Sequence, residues 1–208
     1  MGMTSAKFLV NNESERAAAA HYATEDFARK LELGRHETLK LDLLVEETLG
    51  MVNAMLEDFY GQIWFTGEGR ACEIHFEVTA DMDAAKKREL LTVSTTGRNA
   101  AKKGFMARIG EMIAEKLYAF GRTMNAYGEE NARYGIVHTP ESTALNADMM
   151  PIWTLSSYRA ELDEARFRDD DAEEAWDELE KSIVATLADE ITVSVRGDRI
   201  DLVIKKTF

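Results

Sequence analysis

The sequence predicts an α/β fold of the α+β kind: a two-layer sandwich with helices on one face of a mixed, mainly antiparallel sheet. Three observations predict it. Residues 37–59 carry Leu41, Leu44, Val45, Thr48, Val52, Leu56 and Phe59 at three- and four-residue spacing, the pattern of a long amphipathic helix. Residues 72–79 alternate Ile74, Phe76 and Val78 with Glu73, His75 and Glu77, the pattern of a strand with one buried face. Residues 191–204 repeat that alternation on both sides of Gly197-Asp198, a two-residue turn signal. Strands with a single apolar face call for one covering layer of helices.

The elements follow in order. Residues 6–10 read as a short strand. Asn12 with Glu15 three residues on forms a capping box for a helix to about Leu33, with Ala20, Ala23, Phe27 and Leu31 inward and Gly34 as its stop. The long helix ends at Gly61. Residues 62–66 form a strand that turns through 67–70 into the strand at 72–79. Residues 81–103 hold a cluster of basic side chains, and Gly104 opens a helix with Phe105, Ile109, Met112, Ile113 and Leu117 as its stripe. Both prolines fall in 122–172, which reads as part of an insertion with short helices. Asp171 with Glu174 caps a helix through Trp176, Leu179, Ile183 and Leu187, and the hairpin closes the chain. The expectation is one domain over 1–208 with an insertion at 118–172.

Composition narrows the function classes. The 208 residues include 45% hydrophobic ones, enough for one substantial core. The net charge of −13 repels phosphate backbones and anionic lipid, so no nucleic acid and no membrane are expected as partners. One cysteine, Cys72, excludes an internal disulfide. No apolar run approaches the roughly 20 residues of a membrane span. The first residues lack a signal peptide's basic and apolar segments. Together these features read as a cytoplasmic protein.

The element order resembles the ATP-binding fold shared by gyrase B, histidine kinases and MutL (the GHKL, or Bergerat-like, superfamily). It is most similar to the anti-sigma-factor serine kinases of Gram-positive bacteria. The residues that carry the likeness are Leu44-Val45-Glu46-Glu47-Thr48-Leu49-Gly50-Met51 on the long helix, Ser94-Thr95-Thr96-Gly97 through Lys103-Gly104-Phe105-Met106 as the threonine-rich lid and second glycine box, and the final hairpin. The likeness spans roughly 6–117 and 173–208. It implies that Glu47 holds the catalytic position. It also implies that Met51, Asp81, Thr95, Thr96, Lys102, Lys103 and Gly104 border an ATP site.

The sequence departs from the family at that site. Matching Glu47 to the family's Glu puts Met51 where a magnesium-binding Asn belongs, and a thioether is a poor ligand for magnesium. No metal is therefore expected, and Met51→Asn is expected to create magnesium dependence. The segment Ala80-Asp81-Met82-Asp83-Ala84-Ala85 stands where the family has Asp-x-Gly-x-Gly, with no glycine to admit a ligand close to the backbone. The resemblance thus implies a regulatory protein that acts by binding protein partners, with nucleotide binding weak or lost and a homodimer compatible. The alternative is a working ATP-dependent protein serine/threonine kinase.

Other local signals read more plainly. The basic cluster at 86–103 before Gly104 offers an anion site, or else a solvated loop in an acidic protein. Glu73, His75 and Glu77 share one strand face but are spaced too widely for one ion, so a wet sheet face is expected. Asp169-Asp170-Asp171 reads as a helix start rather than a calcium loop. Cys72 and His75, three apart on a strand, face opposite sides. His21, His36 and His138 have no partner at meaningful spacing. The stretch Met149-Met150-Pro151-Ile152-Trp153 reads as a loop tucked into the core or a partner-binding knob.

Overall fold

A computed structural model of the chain describes residues 2–11, 14–55, 59–80, 109, 113, 153–196 and 199–208. The chain opens with β1 (Met3–Thr4), β2 (Phe8–Val10), α1 (Ser14–Lys30) and α2 (Arg35–Met55). The hairpin of β3 (Phe59–Glu68) and β4 (Ala71–Ala80) follows. Then come β5 (Trp153–Thr154), α3 (Leu155–Ala165), α4 (Asp170–Lys181), α5 (Ile183–Leu187), β6 (Glu190–Arg196) and β7 (Arg199–Thr207).

The strands form one seven-stranded sheet in the order β1-β3-β4-β7-β6-β5, with β2 also on the free edge of β3. Every pairing among the described residues is antiparallel, which corrects the expectation of a mixed sheet. The connections explain it in part. Two residues separate β3 from β4 and β6 from β7, and a parallel return needs a crossover of a dozen or more. Gly69 makes the first of these turns at φ 60°, a conformation that costs glycine little.

Register aligns the apolar rows. Phe65, Ile74, Ile204 and Ile191 run straight across β3, β4, β7 and β6, and the row of Ile63, Phe76, Leu202 and Val193 lies beside it. All eight side chains are buried and belong to a single core with helix residues Phe27, Leu44, Val45 and Val52. Phe27 of α1 stacks on Phe65, with ring centroids 5.2 Å apart. The intervening residues point to the opposite face, open among the described residues. Among the described residues, helices α1 and α2 pack on this buried face of the sheet, as expected.

Several boundaries differ from the sequence reading. Residues 6–10 do not form one strand. The edge is split, because Ser5 inserts its hydroxyl as acceptor for the Phe65 N–H at 2.9 Å while its own N–H donates to the Phe65 carbonyl. Pairing resumes only at Phe8. Short, interrupted edge strands discourage pairing with other chains.

Gly34 does not end α1. The helix closes in a Schellman motif, with Leu33 N–H donating to the Ala28 carbonyl, Glu32 N–H to that of Arg29, and Glu32 at φ 55°. Gly34 instead caps the start of α2. Its carbonyl accepts from Thr38 N–H, and its N–H donates to Glu37 Oε2 at 2.7 Å. The Gly34 contact holds the Glu37 carboxyl below the usual carboxylate range, helped by Arg70.

Phe59 and Gly61 belong to β3, not to the end of α2. At Gly61 an added Cβ would meet the Glu77 carbonyl oxygen at 2.9 Å, so this glycine lets β3 and β4 approach. The helix after Asp171 starts earlier and breaks sooner than expected. Asp169 is its N-cap, and Ser182 ends α4 and caps α5 through Ala185 N–H.

The proposed insertion, 118–172, is described only from residue 153 onward. Trp153 pairs with Val193 at the sheet edge, and Trp153, Leu155, Tyr158 and Leu162 join the common core. Trp153 is thus tucked into the core, whereas Met149 to Ile152 lie outside the described residues, as does the Asn12 cap.

Candidate functional site

Glu47 and Met51 sit one turn apart on α2. The glutamate is half-buried, while Met51 is 3% exposed and part of the core. Asp81, Thr95, Thr96, Lys102, Lys103 and Gly104 lie outside the described residues, as do Met82 and Ala84. The described residues include the second half of α2 and the C-terminal end of β4. A small cavity lies there, lined by Val52, Val78, Ile109, Ile113, Val193, Ile200 and Leu202. Its lining is aliphatic throughout.

The chemistry of such a space is limited. A water inside needs two to four polar partners, and these walls offer none. Ligand sites combine apolar walls with a few convergent polar groups that fix orientation. Glu47 is not among the lining residues. It lies five residues before Val52, about 140° around the helix. Ile109 and Ile113, both buried, complete the lining, while Phe105, Met112 and Leu117 of the expected stripe lie outside the described residues.

The open face of the sheet carries a different group of side chains. Trp64 and His75 are direct partners across β3 and β4 and stack with centroids 5.0 Å apart and planes 5° from parallel. The Lys7 ammonium lies 4.1 Å from the centre of the Trp64 ring, a cation–π contact. His75 Nε2 is 3.0 Å from Thr66 Oγ1 and 3.3 Å from Glu73 Oε2. Glu73 also meets Lys205 at 3.2 Å, and Glu77 pairs with Arg199.

Burial sets the protonation of His75 and Asp201 on this face more than the ion pairs do. It pulls the His75 pKa below its ordinary value, and the nearby Glu73 carboxylate only partly offsets that. It raises Asp201 above the usual carboxylate range, with Arg199 opposing and Glu77, directly across in β4, adding to the rise. Glu73 goes the other way. Burial raises it, but the hydrogen bond and charge of Lys205 prevail and hold it low. Beneath the sheet, burial pushes the Cys72 thiol up to about 12, with Glu73 adding to the shift, so this sulfur is no nucleophile at neutral pH.

The expected wet face of Glu73, His75 and Glu77 is borne out, and Cys72 does face away from His75. Among the described residues, no group of three or more His, Cys, Asp or Glu side chains is placed to hold a metal ion. Sequence reasoning missed Lys7, Trp64, Arg199 and Asp201 as members of this cluster. Alternation places Trp64, Arg199 and Asp201 on this face, but only the register brings them together, and Lys7 joins them from the break between β1 and β2. His21 was also misjudged. Its Nδ1 lies 2.5 Å from Asp42 Oδ1 and ties α1 to α2 across 21 residues.

A third feature is charge. Residues 155–190 hold 13 acidic and 4 basic side chains, a balance of −9 within a chain of −13. Most of them lie on α3 and α4, whose junction presents Phe167, 79% exposed and in contact with the Arg166 guanidinium. Among the described residues, no helix is long and apolar enough to cross a membrane. Comparison with protein-family models and with curated proteins gave no match.

Proposed function

We propose that this chain is a regulatory protein on a Bergerat-like scaffold of the anti-sigma-factor-kinase type, working in the cytoplasm through contacts with protein partners, with nucleotide binding weakened or lost. The observation that supports this most is the aliphatic cavity beside α2 and the end of β4. A triphosphate and its adenine need hydrogen-bonding groups and a counter-charge there, and the described walls supply neither. Met51 adds to this, since its thioether stands where the resemblance calls for a magnesium ligand, and it is packed into the core.

The acidic α3–α4 region supports a partner with a basic surface. Opposite charge steers encounter and selects partners, and an exposed aromatic such as Phe167 serves as an anchor when it is covered. A thermal-shift titration with ATP, with and without magnesium, tests the reading. A bound nucleotide at a hundredfold over its dissociation constant stabilises by about 2.7 kcal/mol. No shift is expected in either condition. A clear magnesium-dependent shift would favour the alternative, an ATP-dependent protein serine/threonine kinase.

A further inference from the structure

We draw no further inference here: the strongest candidate, the open face of the sheet where Lys7, Trp64 and His75 stack beside the exposed Leu9 and Tyr60, is a surface of mixed charge without a partner among the described residues, and nothing in the structure shows what covers it.

Discussion

Met51 and His75 carry the most consequence at the scale of single residues. From the sequence, Met51→Asn promised a magnesium ligand. The structure revises that expectation, because Met51 is buried in the core. An amide there has lost its water, and where it finds no protein partner it costs about 1–3 kcal/mol, apart from the packing lost. The Met51→Asn variant is therefore expected to unfold at lower urea concentration and to gain no magnesium dependence. A variant of unchanged stability would mean that the side chain reaches solvent.

His75 makes stability depend on pH. Its pKa in the folded protein lies below its ordinary value of 6.5, so the unfolded chain takes up the proton first as pH falls. Its contribution is fully present above pH 6.5 and is lost on acidification toward the lower folded value. Denaturant titrations between pH 7.5 and 5.5 should show the wild type losing more stability than His75→Gln. Equal losses would remove His75 as the cause. Asp201 works in the opposite sense, since its raised pKa favours the folded state as it protonates.

Elements differ in how far their pattern alone defines them. The stripe on α2, the alternation in β4 and the closing hairpin were legible because each repeats one period over a full element. The start of β3 was not. Phe59 continues the helical spacing of Val52 and Leu56, and its role as first strand residue depends on pairing with Ala80, a contact between distant segments. Gly34 and Gly61 were read as helix stops, but one begins a helix and the other admits a neighbouring strand.

Gly61→Ala places a methyl against the Glu77 carbonyl oxygen and the side chains of Val78 and Val10. A loss of about 1–3 kcal/mol is expected in urea denaturation, the usual cost of overpacking. The break between α4 and α5 was hidden because Leu179, Ile183 and Leu187 keep a four-residue spacing across it. Ser182 imposes the break by capping α5. Ser182→Ala should cost about 1 kcal/mol, the usual worth of such a cap. An unchanged denaturation midpoint would show that packing, not the hydroxyl, holds that corner.

At the scale of the whole molecule the scaffold was legible, while of the proposed nucleotide site the sequence showed only departures from the resemblance. The layer arrangement followed from one-faced strands and amphipathic helices. The aliphatic closure of the ground beside α2 did not, because it is made by residues from α2, β4, β6, β7 and positions 109 and 113, which only the folded chain assembles. Those departures, Met51 and the glycine-free segment after β4, point the same way as the cavity. The cavity itself has a stability consequence. Val78→Ile adds a methylene beside the void and is expected to raise stability by about 0.5–2 kcal/mol. A loss in that variant would mean the space is already filled.

Weakened or lost nucleotide binding is tested most directly by following the backbone amide signals of Val52, Val78, Val193, Ile200 and Leu202 by NMR. Magnesium and ATP are added up to millimolar concentration. These residues line the cavity, so a nucleotide bound beside them shifts their signals. These signals are expected to stay in place while magnesium–ATP is added. Saturable shifts at several of these amides together, with a dissociation constant in the micromolar range, would contradict this.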